Sequence, residues 1–356
     1  MADLLVCGVE ESGRDAVENT RAPGDRRRWD PSAWRPHRLF PVIRPLTLLM
    51  AGLVLVFYVD AFMLGAPLPL ALGFALLGLV VLMGFRHHAD HGSVGRIGVT
   101  PPLVAALAAL AVLTLSRGLS WPLVFSAAAV GSAGGLAELV GRRRSPRWTG
   151  LGAAIYCGAF AGMTSERVLA HPGWVLLAGA LAGVLLELLQ SSWAGIGGKL
   201  GSTAFLSVFG IVGLTFAFGV QGPGAQLHTY TASERVALLV VALVSSQLSH
   251  WLIYGRGIGA VLGSALPSLL AGLLLPAPLA AAWMGASFIG MTAPTRLAPH
   301  PSLQLLAMGM LFGFFSLGFE PSLAGIGGDL GATAAISVFA VLGLRRLLSE
   351  GLPKTL

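Results

Sequence analysis

The sequence predicts an all-α polytopic membrane protein: about twelve transmembrane helices, with two inverted-topology five-helix repeats (5+5) following two N-terminal helices. Three observations predict it. The chain has 356 residues, 55% hydrophobic and only 11% charged, with mean hydropathy +0.77, whereas a soluble domain carries about twice that charge. The charges collect between apolar runs of membrane length. One glycine-rich phrase also occurs twice, as AGIGGKLGSTAFLSVF at 194–209 and AGIGGDLGATAAISVF at 324–339, 130 residues apart.

The elements follow in order. Residues 1–38 carry RAPGDRRRWD and no apolar stretch of signal-peptide type, so they read as a disordered, Arg-rich cytoplasmic tail. Apolar spans are predicted at 45–63, 66–85, 101–117, 121–140, 148–165, 173–190, 203–220, 236–254, 258–276, 279–294, 303–319 and 332–346. Each fits, or nearly fits, a hydrocarbon core of about 30 Å at 1.5 Å per residue. The ninth and tenth are joined by a Pro276-Ala-Pro278 turn, and the last is short enough to predict tilt or partial insertion. The predicted organisation is a tail (1–38), two extra helices with a cytoplasmic loop (39–100), repeat 1 (101–220), repeat 2 (221–347) and a C-terminal tail (348–356).

Charge predicts the orientation. With both termini inside, 20 Lys/Arg are cytoplasmic and only Arg117, Arg167 and Arg235 are external. The protein is therefore expected in a plasma (inner) membrane, with the lipid bilayer and a small solute or ion as partners and a homo-oligomer compatible with the sequence. The net charge of +7 reflects basic loops, 21 of the 23 basic residues being Arg, and not nucleic-acid binding. The two cysteines, Cys7 in the tail and Cys157 in an apolar span, predict neither a disulfide framework nor a thiolate metal site.

The duplication reaches beyond the phrase. Phe160-Ala-Gly-Met-Thr164 matches Phe288-Ile-Gly-Met-Thr292, Arg167…His171-Pro172 matches Arg296…His300-Pro301, and Gly131-Ser-Ala133 matches Gly263-Ser-Ala265, at offsets of 128 to 132. The matching motifs lie five spans apart. Five is odd, so the copies are predicted to face opposite sides of the membrane. This 5+5 plan resembles that of several transporter and channel superfamilies, including the amine/amino-acid, sodium–proton and ammonium or urea types. The resemblance is one of architecture and implies a site where the repeats meet.

Gly195, Gly197, Gly198 and Gly201, like Gly325, Gly327, Gly328 and Gly331, oppose a continuous helix and precede Ser202-Thr203 or Thr333 in an apolar helix. Free N–H groups there suit an anion, exposed carbonyls a cation; close helix packing is the plain alternative. Neither P-loop nor dinucleotide spacing is met. Lys199 and Asp329 hold the same position with opposite charge, predicting either a pair across the repeat axis or two surface charges on opposite faces. Glu187 and Glu320 precede the two phrases and join the candidate substrate or ion ligands, with Glu138, Asp60 and His250 behind them. Thr164, Arg167, His171, Thr292, Arg296 and His300 are predicted as matched hinges and caps, or as gates. His87, His88, Asp90 and His91 read as a solvated loop cluster, so neither metal nor cofactor is predicted.

A transporter or channel for a small solute or ion, possible coupling to protons or cations included, is the function these patterns favour. No catalytic residue is assigned. The alternatives are a membrane-embedded enzyme acting on a lipid or isoprenoid substrate and a non-catalytic assembly factor.

Overall fold

A computed structural model describes residues 98–190, 193–220 and 228–350, with Gly78, Val80, Val81 and Gly84; side chains at 319–322 and 350 are not described. The expected tail 1–38, the span 45–63 with Asp60, most of the span 66–85, the His87 cluster and residues 351–356 lie outside the described residues.

Among the described residues every regular element is a helix. The first five are α1 (Thr100–Leu113), α2 (Leu123–Gly141), α3 (Leu151–Gly162), α4 (Pro172–Leu188) and α5 (Lys199–Ala217). After the undescribed 221–227 come α6 (Ala232–His250), α7 (Ala260–Leu274), α8 (Ala277–Ile289), α9 (Pro301–Leu323) and α10 (Asp329–Glu350), with one helical turn at Pro294–Leu297 between α8 and α9. Two elements close on wide π-turns, α1 at Thr114–Gly118 and α6 at Trp251–Gly255. Among the described residues six helices are long and apolar enough to cross a membrane: α1 and α6 with their π-turns, α2, α5, α9 and α10.

Two length expectations are corrected. The predicted span 148–165 is only the 12-residue α3, and 279–294 is the 13-residue α8. At 1.5 Å per residue they reach about 18–20 Å, against a core of about 30 Å. The start of α3 is fixed by Glu138, whose Oε1 and Oε2 accept from the Gly150 and Gly152 amides at 3.1 and 2.8 Å; a carboxylate there satisfies amides that lack helical partners. Conversely, the last span, expected to be short at 332–346, is the 22-residue α10. Its helix starts at Asp329, directly after the left-handed Gly328, as α5 starts at Lys199 after Gly198, and Asp329 accepts the Leu330 amide at 2.7 Å at the positive end. It is mostly buried, so packing on both sides sustains it.

Small residues let the helices approach. In lipid the hydrophobic effect does little to join helices, so close backbone packing must. Gly158 and Gly162 of α3, one turn apart, lie against Ala105 and Ala109 of α1. Gly179 and Gly183 of α4 lie on the same face of α1, over Ala105–Ala109 and Pro101–Pro102. The equivalent pairings recur later: Gly290, at the end of α8, meets Ser246, Ser249 and His250 of α6, and Gly309 and Gly313 of α9 meet Ala242, Ser246 and Leu239 of α6. Throughout, the helix pairs packed within α1–α5 are packed again within α6–α10.

The two most extensive helix contacts between the halves pair equivalent helices. Gly135 of α2 meets Leu262 of α7 while Gly272 of α7 meets Phe125 of α2, so these helices run antiparallel. Likewise Gly198 lies on Ala335, Gly201 on Gly331 and Phe205 on Gly328, an antiparallel crossing confined to the first turns of α5 and α10. Phe160 and Phe288, also equivalent, stack edge-to-face at 4.8 Å between them.

Candidate functional site

The two glycine-rich turns come together at the α5–α10 crossing. Gly198 and Gly328 hold φ of +83° and +89°, left-handed backbone that L side chains rarely adopt. Each turns the chain directly into a helix N-terminus. One turn further on, a Cβ on Gly201 would sit 2.6 Å from the Gly331 Cα, and a Cβ on Gly331 would overlap Gly201 in return. Only two facing glycines let the helix starts cross at this distance.

Each turn is fastened to the other half of the molecule. The Ser165 amide donates to the Gly325 carbonyl at 2.8 Å, and the Ala293 amide to the Gly195 carbonyl at 2.9 Å. The Gly327 amide donates to Thr164 Oγ1 at 3.3 Å, and the Gly197 amide to Thr292 Oγ1 at 3.2 Å. Thus the turn before α10 sits on the end of the half-length α3, and the turn before α5 on the end of the half-length α8. Beside each, a side chain from a π-turn holds the helix end: Arg117 Nη2 donates to the Thr164 carbonyl at 3.0 Å, and Tyr254 Oη to the Met291 carbonyl at 2.9 Å.

The remaining candidates separate. Ser202 Oγ bonds the Gly198 carbonyl at 3.0 Å and Gly331 across the crossing at 3.3 Å. Thr203 and Thr333 bond the carbonyls four residues back, Lys199 and Asp329, both at 2.9 Å. Glu187 is half-buried in the last turn of α4; the Glu320 side chain is not described. His171 caps α4 through Nδ1, which accepts from the Gly173 amide at 3.0 Å, with Pro172 at its first position. His300 is exposed ahead of Pro301, where α9 begins. His250 Nδ1 bonds the Gly290 carbonyl at 3.1 Å, a packing role. Arg167, expected to hold a helix end, is exposed, and Arg117 does that work instead.

Lys199 Nζ donates to the Gln190 carbonyl at 2.7 Å, and Asp329 accepts the Leu330 amide. Arg296, through Nε and Nη2, holds the Ala194 carbonyl at 3.3 and 3.1 Å, and Arg345 Nη1 holds the carbonyls of Arg296 and Ala298 at 2.9 and 2.6 Å. Three cations therefore lace the Ala194 end of the site to backbone oxygens. At the Arg117 end Asp329 lines two neighbouring cavities. One, of about 290 Å³, includes His228, Tyr230, Ser316 and Thr333; the other, of about 430 Å³, is walled by apolar residues such as Leu123, Met163, Leu275 and Ile326. Asp329, Leu330, Ala277, Ala281 and Gly325 belong to both. Arg117 had a legible signal, a charge at the end of an apolar run; His228, Tyr230 and Ser316 had none.

Among known proteins, no family model, no curated sequence and no solved structure matches this chain.

Proposed function

We propose that the chain is an integral membrane transporter or channel for a small solute or ion, with its site where two inverted five-helix repeats meet at residues 194–202 and 324–332. The reciprocal fastening of the glycine-rich turns is the observation that carries this reading: four hydrogen bonds form two matched pairs, each exchanged between the halves. Because the equivalent helices α2/α7 and α5/α10 are antiparallel, the operation relating the halves is a twofold normal to the helices, which in a bilayer lies in the membrane plane. Helix starts that cross there, on half-length helices, bring unwound backbone and one carboxylate to membrane depth, a costly arrangement in lipid that transporters use for binding.

With the basic loops inside, the Asp329 end faces outward and the laced Ala194 end faces the cytoplasm. Alternating exposure then requires Arg296, Arg345 and Lys199 to release their carbonyls while the Asp329 side closes. Flux measured in proteoliposomes over a panel of ions, amines, amino acids and small polar solutes tests the proposal. Flux of at least one member, lost in folded Gly198→Leu or Gly328→Leu protein, is expected. No flux across the panel overturns it and returns the choice to a membrane-embedded enzyme or an assembly factor, neither of which a specific observation favours.

A further inference from the structure

We propose that the larger cavity, of about 430 Å³, is a lateral lipid site: one acyl chain of an outer-leaflet phospholipid enters it from the bilayer between α2 and α7. This assignment goes beyond the transport reading and does not rest on it, needing only that the helices span a membrane.

The space exists because α3 is half-length. That helix ends at Gly162, and Met163, the next residue, lines the cavity. The start of α2, the end of α7, the start of α8 and the turn at Gly325–Gly327 enclose the rest. Asp329 is the one lining residue with a hydrogen-bonding side chain; it belongs to the smaller cavity as well, and its Oδ1 accepts the Leu330 amide. The other walls are glycine and apolar side chains, Leu123, Val124, Leu275 and Ile326 among them. Water needs several polar partners to be held, and so apolar a wall holds it poorly. An empty space costs stability in proportion to its volume. Hydrocarbon is the filling whose contacts this wall rewards.

Position decides where the hydrocarbon comes from. Leu123 and Leu273 line the cavity, yet they are 40% and 59% exposed. Leu273 continues a stripe of exposed leucines on α7, with Leu266 and Leu270 at helical spacing. In a bilayer such a face is covered by lipid tails, so the mouth of the cavity lies among them. Trp121, just ahead of α2, is also exposed and stands edge-to-face on Phe125 at 5.3 Å; an aromatic at that place marks the headgroup level. Phe125 in turn packs on Gly272 in the α2–α7 seam. A lipid head beside Trp121 thus sends a chain past Leu273 towards Met163 and Ile326. There the chain packs against the turn that Thr164 and Ser165 fasten.

Photolabelling in proteoliposomes tests the proposal, with a phosphatidylcholine that carries a diazirine at the end of one acyl chain and the labelled residues read by mass spectrometry. Labels are expected on Met163 and Ile326 inside the cavity as well as on the lipid-facing Leu266 and Leu270. Ala280→Trp fills the cavity from a buried position of α8, and Ala277→Trp narrows it from the exposed start of that helix, where bulk does not endanger folding. Each folded variant is expected to lose the inner labels and to keep those on the stripe. Labels confined to the stripe in the unsubstituted protein, or inner labels undiminished in Ala277→Trp, overturn the assignment. So does inner labelling by a water-soluble diazirine alkanol and not by the phospholipid, which makes the cavity a solute site. Inner labelling without flux of any solute upholds the lipid site and overturns the transport reading; flux without inner labelling does the reverse.

Discussion

Thr164 and Thr292 show how far a single residue could be understood from sequence. Their repeated placement after Gly-Met was legible, and so was a backbone-capping role. Their partners were not, because each accepts an amide 163 or 95 residues away, and spacing along a chain carries no information about what packs across it. Lys199 and Asp329 were legible in the same partial way: their opposition was plain, but a lysine that reaches a carbonyl and an aspartate that lines a cavity look alike in sequence. Replacing Thr164 or Thr292 by Val removes a hydroxyl and strands a buried Gly amide. Each variant is expected to lose about 1–3 kcal/mol, seen as a lower thermal midpoint in detergent, and the corresponding Ser variant is expected to retain most of it.

At the level of elements, apolar runs marked the places of the ten described helices but misjudged the lengths of several, α3, α7, α8, α9 and α10 among them. Composition marks where a segment can be buried; it does not mark where a carboxylate such as Glu138 starts a helix or where a neighbouring turn stops one. The α5–α10 crossing illustrates the rest. Its glycines were read as helix breakers, whereas Gly201 and Gly331 are inside helices and serve contact. Gly331→Ala and Gly201→Ala are therefore expected to destabilise by about 1–3 kcal/mol through overpacking. Gly213→Ala, in the same α5 with open space at its Cβ, is expected to be neutral or to stabilise by up to about 1 kcal/mol through helix propensity. Unfolding midpoints of the three variants check this; a loss at Gly213 equal to that at Gly331 would remove the crossing as the cause.

For the whole molecule, charge and the odd number of spans between motifs predicted opposite orientations for the two copies, and the antiparallel packing of equivalent helices supports that proposal. The difference between a laced end and an open one was not legible, since it arises from which side chains meet carbonyls after folding. Ala194 and Ala324 occupy matched positions just ahead of the two turns. In protein carrying Cys7→Ser, whose remaining Cys157 is buried, Ala324→Cys is expected to react with a membrane-impermeant thiol reagent applied outside intact cells. Ala194→Cys is expected to react only when the reagent reaches the inner face. Labelling of both from one side would refute inverted repeats.

Fastening each turn to the opposite half also sets a schedule for biosynthesis. Thr292 is made 95 residues after Gly197, and Gly327 is made 163 residues after Thr164. At roughly 5–20 residues per second, those delays are about 5–20 s and 8–33 s. During that wait the first half sits in the membrane with a glycine turn undocked and amides that lipid cannot satisfy. The nascent chain must therefore be sheltered, by the insertion machinery or by water that follows the open turn, until α8 arrives to close it.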